Sequence, residues 1–179
     1  MSREIRRVPP HWEHPRQECK HMPWAGGCDE AKAHHGRCYR PLLNNDYQSA
    51  AREWLDAAIA WDNGTDPSAA EYKATHPFYW QWNGNPPEPE DYRPFWTPEE
   101  ATHYQVYETV SEGTPVTPHF ATLGEIANYL VEYGDFDDQH RGDGGWSRDA
   151  AEQFVKRGWA PSGMSCQGKW YSPRDGMPI

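Results

Sequence analysis

The chain has 179 residues, 36% of them hydrophobic, a mean hydropathy of −1.03 and a formal net charge of −10. Aromatic residues reach 14%, with ten Trp and ten Tyr; this excludes the ring-poor composition of a disordered chain and predicts a folded protein with an aromatic core. No stretch approaches the roughly 20 apolar residues of a membrane-spanning helix, and no apolar run follows Arg3, Arg6 and Arg7 as it would in a secretory signal, so the expectation is a cytosolic chain without disulfides.

The charge is uneven. Residues 1–40 carry eight Lys/Arg and five Asp/Glu, a net of +3, whereas residues 41–179 carry nine and 22, a net of −13. This predicts two parts, a basic N-terminal segment over 1–40 and an acidic domain over 41–179. Residues 1–18 are polar, contain Pro and read as extended. Residues 19–40 hold three of the four Cys, in the arrangement Cys19-x8-Cys28-x5-His34-x3-Cys38. In a reduced compartment such clustering points to metal rather than cross-links. Four N/S ligands suit the tetrahedral preference of zinc and leave no open position for catalysis. A segment this short has no core, so ligation would supply its folding energy. His21 and His35 are alternative ligands.

A helix is predicted over residues 46–61, with Ala50, Ala51, Trp54, Leu55, Ala58 and Ile59 forming its apolar stripe. Asn45 or Asp46 caps its start and Asn63-Gly64 ends it. A shorter helix follows, capped by Asp66 with Pro67 at its first position. Residues 76–96 contain five Pro and seven aromatic residues, which predicts an irregular loop. Its rings either pack on the body or form an exposed binding surface.

Thr97 and Glu100 read as a capping box. Residues 103–110 read as a strand, and residues 115–120 as its edge partner because of Pro115 and Pro118. A second capping box, Thr122 with Glu125, opens a helix that buries Ile126, Leu130 and Tyr133 and ends near Gly134. Residues 135–145 read as an acidic, Gly-rich, solvated loop. Ser147 caps a last helix carrying Ala150, Ala151, Phe154 and Val155. Residues 160–171 read as a hairpin turning at Gln167-Gly168. The predicted fold class is α+β: a small antiparallel sheet with helices packed on one face, plus the N-terminal zinc-stabilised segment.

The intervals of eight, five and three resemble those of the CCCH zinc finger, with the last two ligand types exchanged. That resemblance implies single-stranded nucleic-acid binding, with rings stacking on bases. Trp12, Trp24 and Tyr39 are the rings at hand, and Arg37 and Arg40 the nearby cations. Longer stretches, RRVPPHWEHP at 6–15, WTPEEATHYQVYETVSEGTPVTPHFAT at 96–122 and GWAPSG at 158–163, resemble uncharacterised proteins of tailed bacteriophages and prophages. This resemblance implies a location in the cytoplasm of an infected bacterium, or on the virion, and brings no activity with it.

Asp135, Asp137, Asp138 and Asp143 are candidates for a divalent cation, without the EF-hand spacing. His103, His119 and His140 are candidates for acid–base chemistry, and Cys166 reads as packed. No P-loop, dinucleotide fingerprint or nucleophile triad is present. The expected function is therefore non-enzymatic binding of a host or phage macromolecule, foremost a protein, by the acidic domain. Binding of single-stranded nucleic acid through the finger, and a nucleotide-directed enzyme, are the alternatives. No membrane partner is expected.

Overall fold

The computed structural model describes residues 2–16, 39–109, 113–161, 163–166 and 168–176. It divides into two compact units, residues 1–41 with 96–179, and residues 42–95. This partition differs from the expected 1–40 and 41–179.

The larger unit is built on strands β1 (Arg3–Val8), β2 (His103–Glu108), β3 (Thr114–Phe120) and β4 (Trp159–Ala160), in the spatial order β3-β2-β1-β4. Every pairing is antiparallel, with Ile5 opposite Val106, Arg3 opposite both Glu108 and Ala160, and Tyr104 opposite Phe120. β1 is thus an inner strand, although the sequence read it only as extended polar chain. The register of β2 against β3 shifts between Gln105 and Tyr107. There Pro118 can offer no N–H, and the Thr117 hydroxyl accepts from the Val106 N–H at 3.1 Å in place of a ladder bond. β3 lies at the sheet edge, as its two prolines require.

Side chains alternate across the sheet. One face, with Ile5, Tyr104, Val106, Val116 and Phe120, forms the core with helices α4 (Leu123–Tyr133) and α6 (Arg148–Arg157). The helices supply Ile126, Ala127 and Leu130, then Ala150, Ala151 and Phe154, with Trp146 between them. Tyr133, expected inside, is exposed at the end of α4. The two helices start as read: Thr122 and Glu125 form the reciprocal capping box, and the Ser147 side chain accepts from the Ala150 N–H. Between them, part of the expected acidic loop is helix α5 (Phe136–Arg141), capped by Asp135. The small hairpin of β5 (Met164–Cys166) and β6 (Lys169–Tyr171) forms at its predicted place.

The other sheet face carries Arg6, Gln105 and Tyr107 and is covered by aromatic coil rather than helix. Trp12 donates to the Tyr107 hydroxyl at 3.1 Å and meets Trp96 edge-on, with ring centroids 4.7 Å apart. Arg6 lies over the Tyr107 ring, 4.5 Å from its centroid.

In the smaller unit α1 (Tyr47–Asn63) starts at Asp46, whose carboxylate accepts from the Ser49 N–H at 2.8 Å, and ends at Gly64 in the left-handed region. Its buried stripe is rotated from the expected one. Trp61 is fully buried, whereas Leu55 and Ile59, on the flank of the stripe, are 54% and 50% exposed. After α2 (Ala69–Tyr72), the Pro/aromatic run is not wholly irregular: it contains α3 (Tyr79–Asn83) and a 3₁₀ turn at Pro89–Asp91. Trp82 stacks on Tyr72 at 4.2 Å and on Trp61 at 5.8 Å, and Trp54 meets Tyr79 edge-on.

Candidate functional site

The residues nominated from sequence fall in four places. Cys19, Cys28, His34 and Cys38, with His21, His35, Trp24 and Arg37, lie outside the described residues. The ends of the stretch that carries them are described. Arg16 and Tyr39 form an isolated antiparallel bridge, and the Arg40 N–H donates to the Pro15 carbonyl at 2.9 Å. The two described ends of the stretch therefore lie side by side, next to the aromatic-covered sheet face.

The residues at that point are engaged within the protein. His14 is buried, and its Nε2 lies 2.7 Å from the Arg40 carbonyl oxygen while Nδ1 has no partner. Burial pushes its pKa below the usual value and the Arg6 charge adds to that, against the hydrogen bond to Arg40. Tyr39 meets the His14 ring edge-on at 5.4 Å and has the Arg16 guanidinium over its face at 5.2 Å. Trp12 is held by Trp96 and Tyr107.

The acidic residues 135–143 are only in part the solvated loop expected: Asp143 is exposed, whereas the carboxylates before it turn inward. Asp135 and Asp138 are buried. Arg3 Nε pairs with Asp135 at 2.7 Å, its Nη2 with Asp137 at 2.9 Å, and its Nη1 lies 3.8 Å from Glu108. Burial works against the Arg3 charge, but Asp135, Asp137 and Glu108 outweigh it and hold the guanidinium protonated. Trp146 Nε1 donates to Asp138 at 2.7 Å, and Arg174 pairs with Asp143 at 3.1 Å. Burial, reinforced by Asp135, pushes the Asp138 carboxyl up. The chemistry of this cluster is that of a buried ion network joining β1, β2 and α5. Among the described residues, no group of three His, Cys, Asp or Glu side chains is placed to hold a metal ion.

His103 and His119 meet edge-on across β2 and β3, 5.7 Å between ring centroids, and His119 is pushed down by burial and by His103. Cys166 is half-buried on β5. No helix among the described residues is long and apolar enough to cross a membrane.

The fourth place is the surface of the 42–95 unit, where the Pro/aromatic run resolves into two groups of rings. Tyr79 and Trp82 pack against α1 and α2, with Trp82 still 39% exposed. Phe78 and Trp80 stand outward with planes 10° apart, 56% and 49% exposed, and Phe95 is 86% exposed. Leu55 and Ile59 add exposed apolar surface one turn apart on α1. The unit has nine Asp/Glu and three Lys/Arg, a net of −6.

No protein-family model, curated protein or solved structure matches this chain.

Proposed function

We propose that this chain is a non-enzymatic binding protein of the tailed-phage accessory kind its sequence resembles. The acidic, ring-bearing surface of residues 42–95 holds a protein partner that is basic and apolar. The observation that carries this reading is the exposure of Phe78, Trp80 and Phe95 in a unit of net charge −6. Large exposed rings mark interaction surfaces, and Trp, Tyr and Phe dominate the energetics of protein interfaces. The negative surround selects a basic partner and speeds its approach.

Zinc on Cys19, Cys28, His34 and Cys38 would staple an insert whose ends are already closed by the bridge between Arg16 and Tyr39. The donor set and the pinned ends support that assignment. The nucleic-acid reading has less behind it, because Trp12 and Tyr39 spend their rings on intramolecular contacts. The nucleotide-directed enzyme has less still, since Asp135 and Asp138 are taken up by Arg3 and Trp146.

The test is affinity capture from bacterial lysate with the wild type and with the double variant Phe78→Ser, Trp80→Ser. One stoichiometric protein should be retained by the wild type, released by salt and lost from the variant. Equal retention by both proteins, or recovery of nucleic acid instead, rejects the reading. Metal content of the wild type against Cys38→Ser tests the zinc separately: one ion per chain in the first and none in the second.

A further inference from the structure

Helix α1 turns one side to the core of the 42–95 unit and the other to solvent. Trp61 lies on the first and is fully buried. At about 100° per residue, Arg52, Leu55, Ile59 and Asp62 fall on the second, within an arc of about 80°. All four are exposed, Leu55 by 54% and Ile59 by 50%. Their spacing of three, four and three is that of the a and d positions along a coiled-coil seam. The solvent side of a surface helix is ordinarily polar, yet the middle of this one is a Leu and an Ile one turn apart.

The two ends of the seam carry opposite charges. Arg52 is one turn before Leu55 and Asp62 one turn after Ile59, about 15 Å apart along the axis at a rise of about 1.5 Å per residue. Neither has an ion-pair partner among the described residues. A seam that reads cation, apolar, apolar, anion is complementary to itself only when a second copy runs the other way. With a twofold axis beside Ala57, Leu55 meets Ile59 of the second copy, and Arg52 meets Asp62 of the second copy. A parallel copy would set Arg52 on Arg52 and Asp62 on Asp62.

We propose that this face of α1 joins two copies of the chain, helix against antiparallel helix. Such a contact is isologous, the kind that closes a dimer. It is also small and opposed: each 42–95 unit carries −6, and exposed Asp56 flanks the seam close to the axis. The association is therefore weak and reversible, and needs enough salt to screen the net repulsion. It does not rest on the protein partner assigned to Phe78, Trp80 and Phe95, which lie outside α1.

The test is sedimentation velocity of the full chain between about 10 µM and about 1 mM, at an ionic strength of about 0.15 M. The mass should rise with concentration from one chain of 20.7 kDa toward two. The double variant Leu55→Ser, Ile59→Ser should stay at one chain throughout. Arg52→Asp and Asp62→Arg should each weaken association at least about tenfold, because both ion pairs across the axis become like-charged. Mixed one to one, these two variants should associate again. One copy then has carboxylates at both positions and the other has cations at both, so each contact is of opposite sign. All four positions are exposed, and every variant should unfold at the wild-type temperature. A mixed pair also forms only from folded chains, so a folding defect cannot imitate its recovery. A wild type that stays at one chain at the highest concentration overturns the proposal. So does association that survives the two Ser substitutions, or folded charge variants that fail to pair when mixed.

Discussion

His14 lies between the aromatic-covered sheet face and the pinned ends of the Cys/His stretch, with its pKa held below the ordinary 6.5 by burial and by Arg6. The unfolded chain therefore takes up the proton more readily than the fold does. Its contribution to stability is complete above the unfolded pKa and is lost as pH falls through that value toward the folded one. His119, lowered by burial and His103, acts in the same direction. Denaturant unfolding followed from about pH 7 to about pH 5 should show falling stability. His14→Gln keeps a donor for the Arg40 carbonyl without a titrating group and should reduce that fall; identical pH profiles would refute the assignment. A second residue-scale constraint is steric. A Cβ at Gly145 would lie 1.9 Å from the Val131 carbonyl oxygen and 2.6 Å from its carbon. Both are backbone atoms at the end of α4 and cannot swing aside. Gly145→Ala should cost about 3 kcal/mol, the upper range for overpacking, read as a lowered denaturation midpoint. Neither residue stood out in the sequence. His14 acquires its character from Tyr39 and Arg40, about 25 positions away, and Gly145 from a carbonyl of the preceding helix.

The elements were legible where local chemistry decides them. Asp46, Thr122 and Ser147 each bond the N–H three residues on, so the cap and the helix start lie in the same few letters. Pro115 and Pro118 put β3 at the edge for an equally local reason. β1 was not legible, because an inner strand is expected to be apolar and Arg3-Glu4-Ile5-Arg6-Arg7-Val8 is not. The Arg3 charge is settled by partners remote in sequence, Asp135, Asp137 and Glu108. Arg6 pairs with its near neighbour Glu4 and lies over the distant Tyr107 ring, with its buried Nη1 left without a hydrogen bond. The same remoteness made residues 135–143 look like a solvated acidic loop. Removing one member of a buried pair strands the others, at a cost of roughly 3–5 kcal/mol. Arg3→Ala should therefore destabilise the protein several times more than Thr122→Ala, which loses a cap worth about 1 kcal/mol. Equilibrium unfolding of the two variants side by side measures the ratio. Similar values would mean that the Arg3 network contributes little beyond its solvated alternative.

At the scale of the molecule, composition suggested a basic head and an acidic body, yet the strand at the head of the chain pairs inside the sheet of residues 103–160. Charge sums are additive along the sequence and say nothing about which segments pair. The stretch whose ends a bridge brings together is instead the one between Arg16 and Tyr39. If that stretch is an insert with its own staple, the sheet, α4 and α6 should fold without it. Joining residue 16 to residue 39 through a two-residue Asn-Gly turn suits an antiparallel bridge. Shortening the loop also reduces its closure entropy, by about 2 kcal/mol on a logarithmic length dependence. The shortened protein should unfold in one cooperative transition, no less stable than the parent after both are stripped of metal, and should no longer respond to zinc. Zinc added to the parent should raise its stability, and Cys38→Ser should remove that rise. A shortened protein that loses cooperative unfolding or its near-ultraviolet aromatic signal would show that residues 17–38 are part of the body, and the insert reading would fall with it.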